Sequence, residues 1–247
     1  NLRDDSKTYD VIFNSVKYID DRLLEQYEDL KKHIKRHGGD LEADHLNWMA
    51  IHYLYARSFF PDIKIPSKLN EAFKYYNGQA SKYWLKKGMY AEGMIALGLH
   101  RFGNTETPLK IVKSLKERSL NNEELGMYWK YNAGYFWYQL PVETHALMIE
   151  LFDEVAIDAV AVDDLKVWLL KNKQTTHWKT TKATSAAVYA LLRNGDNWLL
   201  EDQSVQITLG NKLIDQSQMT TEAGTGYFKT SWNGEDIESN MSEIKVT

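Results

Sequence analysis

The chain of 247 residues contains no cysteine. That excludes disulfides, Cys-type zinc sites, thiol catalysis and any thioester built on a cysteine within these residues. It suits a bacterial envelope or cytosolic protein better than a small secreted domain held by disulfides. Proline is scarce, with four residues at Pro61, Pro66, Pro108 and Pro141. Each falls where a helix is expected to begin or stop, which fits a residue with no N–H and a fixed φ. No stretch approaches the roughly 20 apolar residues needed to span a bilayer. Neither sign of charge dominates, since 30 Lys and Arg stand against 34 Asp and Glu for a net charge of −4. A nucleic-acid footprint and direct membrane insertion are therefore not expected. The densest basic run, Lys31 to Arg36, reads as a solvated helix C-terminus, where positive charge suits the macrodipole. No secretory signal is visible and the first residue is Asn1. The chain reads as a segment of a longer exported protein whose targeting signal lies outside it.

What is abundant is hydrophobic periodicity. A first helix is expected from Tyr9 to His37, with Val11, Ile12, Ser15, Ile19, Leu23, Tyr27, Leu30 and Ile34 at helical spacing and Gly38-Gly39 as its stop. A second is expected from Glu42 to Ser58. A third follows Pro66, with Ser67 as its cap, and runs to Leu85. The fourth, Tyr90 to Arg101, carries Ala91, Gly93, Ala96 and Gly98, and so many small residues predict close helix–helix contact. The fifth runs from Thr105 to Arg118 with Leu109, Val112 and Leu115 on its buried face. The sixth runs from Pro141 to about Val155, the seventh from about Asp163 to Asn172, and the eighth from Lys179 to Arg193, capped by Thr180 or Thr181. After a boundary near Leu200 the pattern changes to short strands: Ser204 to Leu209, Lys212 to Ile214 across a Gly210-Asn211 turn, Gly226 to Trp232 before an Asn233-Gly234 turn, and Met241 to Thr247. Consecutive helices with short connections pack as antiparallel hairpins. The fold class is therefore mainly α. Pattern alone leaves a toroid, a solenoid and an irregular bundle open, because no fixed-period repeat is present.

Candidate chemistry is sparse. The histidines are His33, His37, His45, His52, His100, His145 and His177. His45 and His52 are two helical turns apart, about 10 Å, too far to share one zinc ion. His100 and His177 read as helix-end residues. Glu143, His145, Glu150, Asp153 and Glu154 surround the sixth helix. Two carboxylates near aromatics suggest a glycosidase acid–base pair, whereas exposed acids near a helix start commonly serve the dipole. The span Tyr128 to Tyr138 is dense in aromatics. Trp129, Tyr131, Tyr135 and Trp137, with His145, are candidates either to line a groove for a sugar or peptide or to form packed core. There is no phosphate loop, nucleophile elbow or H-E-x-x-H motif. No catalytic, cofactor-binding or metal-ligating residue is assigned, and no cofactor is expected.

One segment carries a resemblance. Leu165-Lys-Val-Trp168-Leu-Leu-Lys-Asn-Lys-Gln174 leads through Thr-Thr-His-Trp178 to Thr180-Thr181-Lys-Ala183-Thr184-Ser-Ala-Ala187-Val-Tyr-Ala190-Leu-Leu192. It resembles the last hairpin of the thioester-type domain of the alpha-2-macroglobulin family and the related complement proteins. Leu54 to Asp62 and Ala223 to Trp232 are similar to the bacterial branch of that family. The resemblance implies an α/α toroid of antiparallel helical hairpins over residues 1–200, with fewer hairpins than the family's, either because its start is truncated or because the toroid is smaller or diverged. It further implies that residues 201–247 are return strands of a neighbouring CUB-like or macroglobulin-type β domain. The implied function is a non-enzymatic scaffold in an envelope protein of the periplasm or cell surface that traps proteases. Its partners would be the adjacent β domains and target proteases. The family's Cys–Gln thioester pair is absent here, so no covalent role carries over. The alternatives from the residues alone are a carbohydrate-active or carbohydrate-binding toroid and a general protein-interaction helical array.

Overall fold

In the computed structural model, residues 6–130, 140–173, 177–193, 207–214 and 229–246 are described. The chain divides into two compact units, Asn1–Arg193 and Asn194–Thr247. The protein is mainly helical, with short strands near its C-terminus. Among the described residues the helices are α1 (Ser6–His37), α2 (Trp48–Arg57), α3 (Asn70–Tyr83), α4 (Met89–Arg101), α5 (Glu106–Glu117), α6 (Pro141–Leu151), α7 (Ala159–Lys171) and α8 (Thr181–Leu192).

Within the first unit, α2 packs on α4, α4 on α6 and α6 on α8, while α1, α3, α5 and α7 pack against these from hairpin partners. Helices α4 and α6 carry the core. Every residue from Ala91 to Leu99 is buried, and so is every residue from Val142 to Leu151. A helix that is apolar all round belongs inside. The small residues of α4 make this possible. A Cβ on Gly98 would lie 3.2 Å from the backbone carbon of Leu54 in α2, so the two helices meet backbone to backbone.

Local chemistry moves several boundaries. The second helix starts at Trp48, six residues later than expected from the pattern. Asp40 and Asp44 accept hydrogen bonds from the backbone N–H groups of Glu42 and Leu46, at 2.8 and 3.1 Å, and hold the chain in turns. Asn47 then caps α2 by accepting from Ala50 N. Ser67 does not cap the third helix. A 3₁₀ turn, Ser67–Leu69, begins after Pro66 with no side-chain cap. Helix α7 starts at Ala159, earlier than expected, because Asp158 accepts from Ala161 N. Thr180 caps α8 through Ala183 N. Leu109 is 52% exposed, since the buried stripe of α5 is Pro108, Ile111, Val112 and Leu115. Val11 is exposed as well, and the buried stripe of α1 begins at Val16.

Between α5 and α6 the chain forms an antiparallel hairpin, β1 (Leu120–Asn122) and β2 (Gly126–Tyr128), with Leu120 opposite Tyr128. After α6 a π turn, Phe152–Ala156, ends at Ile157 in the left-handed region. The second unit holds β3 (Ile207–Leu209), β4 (Lys212–Ile214) and β5 (Ile244–Val246), in the order β4-β3-β5 and antiparallel throughout. Of the strand expected over Gly226 to Trp232, residues 229–232 are not extended in a sheet and the others lie outside the described residues. Asn233-Gly234 leads into a 3₁₀ turn, Gly234–Asp236.

Two positive-φ positions predict opposite substitution effects. Gly126 has φ +69°, and a Cβ there would lie 2.1 Å from the Asp164 carbonyl oxygen of α7. Gly126→Ala is expected to destabilise the protein by about 3 kcal/mol, through backbone strain plus the clash. Ile157 has φ +51° and is 85% exposed. A β-branched residue there is strained and buries little, so Ile157→Asn is expected to stabilise by about 1 kcal/mol. Urea unfolding of both variants checks the pair. Equal signs of effect would contradict it.

Candidate functional site

The acidic residues of α6 are not exposed dipole partners. Glu143 and Glu150 are buried, at 7% and 2% exposure. Glu150, Asp153 and Glu154 converge on two arginines that terminate other helices, Arg101 of α4 and Arg193 just beyond α8. Arg101 Nη2 donates to Glu150 Oε1 at 2.6 Å. Its Nε and Nη2 donate to the two oxygens of Glu154 at 2.7 and 2.8 Å. This is a bidentate fork, the strong geometry for a guanidinium–carboxylate pair. Arg193 donates to Asp153 Oδ2 at 3.1 Å, Glu150 Oε1 at 3.2 Å and Glu154 Oε2 at 2.5 Å. Tyr55 of α2 donates to Glu150 Oε2 at 2.9 Å, and the Arg101 guanidinium lies 4.3 Å from the Phe59 ring centroid. One cluster thus ties together α2, α4, α6 and α8. Both arginines sit at helix C-terminal ends, where positive charge also suits the dipole.

The electrostatics decide what this cluster can do. Burial opposes the charge on Glu154, but Arg101 and Arg193 outweigh it and hold its carboxyl below the usual carboxylate value. Burial likewise works against Arg101, yet Glu154 and Glu150 hold its proton more tightly than usual. A glycosidase acid needs a carboxyl whose pKa is raised. Glu154, clamped by two guanidiniums, is the reverse. The arrangement serves to join helices.

A second buried pair was not foreseen from the sequence. Arg57 of α2, 1% exposed, donates to Asp20 Oδ1 of α1 at 3.1 Å and to the Phe60 and Ile63 carbonyls at 2.7 and 2.6 Å. Tyr53 donates to the same Asp20 oxygen at 2.7 Å. The signal was present: Asp20 interrupts the apolar stripe of Val16, Ile19 and Leu23 on one helix face. A charge at a core position demands a buried partner.

Of the aromatic candidates, Tyr131, Tyr135 and Trp137 lie outside the described residues. Trp129 and His145 are side by side in the interior, at 3% and 0% exposure. Trp129 Nε1 donates to the Leu115 carbonyl at 2.9 Å. The His145 ring stacks on Trp168 at 4.2 Å between centroids and meets Trp129 edge-on at 6.1 Å. Its Nε2 donates to the Leu165 carbonyl at 2.8 Å, which fixes the neutral tautomer. Trp178 seals the α7–α8 hairpin, donating from Nε1 to the Leu169 carbonyl at 3.0 Å.

Elsewhere His45 is engaged by its loop, with ring Nε2 2.9 Å from the Asp40 carbonyl, and His52 packs on Trp48. Among the described residues no group of three or more His, Asp or Glu is placed to hold a metal ion. None of the described helices is long and apolar enough to cross a membrane. An open cleft of about 520 Å³ between α1 and α2 is lined by Tyr18, Arg22, Met49, His52 and Tyr53 among others, with no carboxylate among its described lining residues.

Burial drives the His145 pKa down from 6.5 to about 3, against the opposing hydrogen bond to Leu165. The folded state therefore binds this proton more weakly than the unfolded state does. The stability it secures is complete above pH 6.5 and declines as pH falls toward about 3, at about 1.4 kcal/mol per unit. Denaturant unfolding between pH 6.5 and 5 should show falling stability for the wild type and a flatter profile for His145→Phe. The same slope in both proteins would contradict this role.

Compared with known protein families and with curated proteins, the chain matches none.

Proposed function

We propose that this chain is a non-enzymatic scaffold of an alpha-2-macroglobulin-like envelope protein, acting in the periplasm or at the cell surface as part of a protease trap. In this reading the helical unit is an α/α toroid, and the strands that follow belong to a neighbouring β domain. The observation that carries it is the use of the carboxylates of α6 and the π turn after it. Of the acidic candidates Glu143, Glu150, Asp153 and Glu154, the last three are committed to Arg101 and Arg193. Charged groups spent on joining four helices suit a body that must hold its shape while other parts of a protein move. The last hairpin adds support. Trp178 closes it, Thr180 caps α8, and Ala183, Ala187 and Ala190 seat α8 on its neighbour; these are residues of the segment that carries the resemblance. With no cysteine, the chain supplies architecture and no covalent capture. Its proposed partners are the β domains beside it and target endopeptidases.

The test uses the native polypeptide that carries this chain. Mixed with an endopeptidase, it should be cleaved, after which the protease keeps its activity on a small peptide substrate and loses most of it on a large protein substrate. The isolated 247-residue chain should do neither. An unchanged protease in the presence of the native polypeptide would overturn the proposal, as would release of reducing sugars from a polysaccharide by the isolated chain.

A further inference from the structure

Helix α8 is attached to the helical unit differently from α4 and α6. Those two helices are buried along their whole middle, with leucine, isoleucine and methionine in the core. The buried residues of α8 are Ala183, Ala187 and Ala190. An alanine methyl brings a fraction of the apolar burial of a leucine. Three bulky residues of α8 point the other way: Val188, Tyr189 and Leu192 are 42%, 50% and 52% exposed. Ala186 and Leu191 are partly buried and pack against the core. The polar contacts that fix α8 are concentrated at its ends. At the start, Trp178 donates to the Leu169 carbonyl of α7, its hairpin partner, and Thr184 Oγ1 accepts from Trp178 N at 3.1 Å. At the far end, Arg193 reaches Glu150, Asp153 and Glu154 of α6 and the following turn, and also donates to its own Tyr189 hydroxyl at 3.1 Å.

The cluster is asymmetric with respect to losing Arg193. Glu150 would keep Arg101 and the Tyr55 hydroxyl, and Glu154 would keep its bidentate fork from Arg101. Each of these two carboxylates thus keeps a cationic partner without α8, while Asp153 loses its ion pair with Arg193. The cap of α8 is its own Thr180, so the helix does not depend on another element for its first turn.

We infer that α8 is a strap that opens as a unit while the rest of the helical unit stays folded, and that Arg193 is its latch. Arg193 is the last residue of the helical unit, and the next residue, Asn194, begins the second. Tension along the chain at that junction reaches the latch before it reaches the core. Release of α8 is a property of the helical unit alone and holds whether or not the protein traps proteases.

Native-state hydrogen exchange of the intact chain, read by mass spectrometry, tests this. In the wild type the amides of α8 are expected to exchange at least about tenfold faster than those of α4 and α6, with little dependence on denaturant, as a local opening does. Arg193→Met is expected to accelerate α8 by about a further tenfold and leave α4 and α6 unchanged. In the wild type, 1 M salt should also accelerate α8 selectively, because the latch is partly exposed and its ion pairs are screened. Exchange of α8 in step with α4 and α6 in the wild type would overturn the inference. So would an Arg193→Met protein that loosens uniformly or fails to fold, or salt that leaves α8 unaffected.

Discussion

Glu150 sits on a helix whose residues from Val142 to Leu151 are all buried, and its carboxylate has to be compensated there. An ionised carboxylate removed from water is unfavourable by several kcal/mol unless charges and donors surround it. Arg101, Arg193 and Tyr55 supply them from three different helices. The requirement of one buried charge thereby dictates where α2, α4 and α8 end relative to α6. The cluster fixes register between helices whose other contacts are apolar and tolerant of sliding.

The same constraint explains why small residues accumulate on α4 and α8. On α4, Gly98 lies against the Leu54 backbone and lets α4 and α2 approach closely beside the cluster. Alanines on the inner face of α8 do the same for its contact with α6. Asp20 with Arg57 repeats the principle at the outer layer, pinning α1 and the turn after α2 to a single buried pair. Helical hairpins are thus joined by polar contacts at defined points and by close apolar packing between them.

These features were unequally legible in the sequence. Local chemistry was readable: Gly38 and Gly39 stop α1, Pro141 opens α6, Thr180 caps α8 and the glycines of α4 announce close packing. The Asx turns at Asp40 and Asp44 were not, because Glu42 to Trp48 keeps a helix-compatible pattern while two side chains divert the backbone. The carboxylate cluster was hidden for a different reason. Glu150 and Glu154 read as ordinary helix acids, and their partner Arg101 lies 49 and 53 residues away. Only the fold brings them together. His145 was a candidate for a groove or for core, and its place in the interior depends on Trp129 and Trp168 from other elements. Leu109 shows the limit of periodicity: it is spaced three from Val112, yet the stripe that packs on the core runs through Pro108, Ile111, Val112 and Leu115 and leaves it in solvent.

The central claim is that the α6 carboxylates are structural joints. A double-mutant cycle between Arg101→Met and Glu150→Gln, followed by denaturant unfolding, tests it most directly. Each single change should destabilise the helical unit by about 3 kcal/mol or more, and the two should couple by about 2 kcal/mol, as expected when one partner of a buried pair is left uncompensated. Single variants within about 0.5 kcal/mol of the wild type, with no coupling between them, would contradict the account.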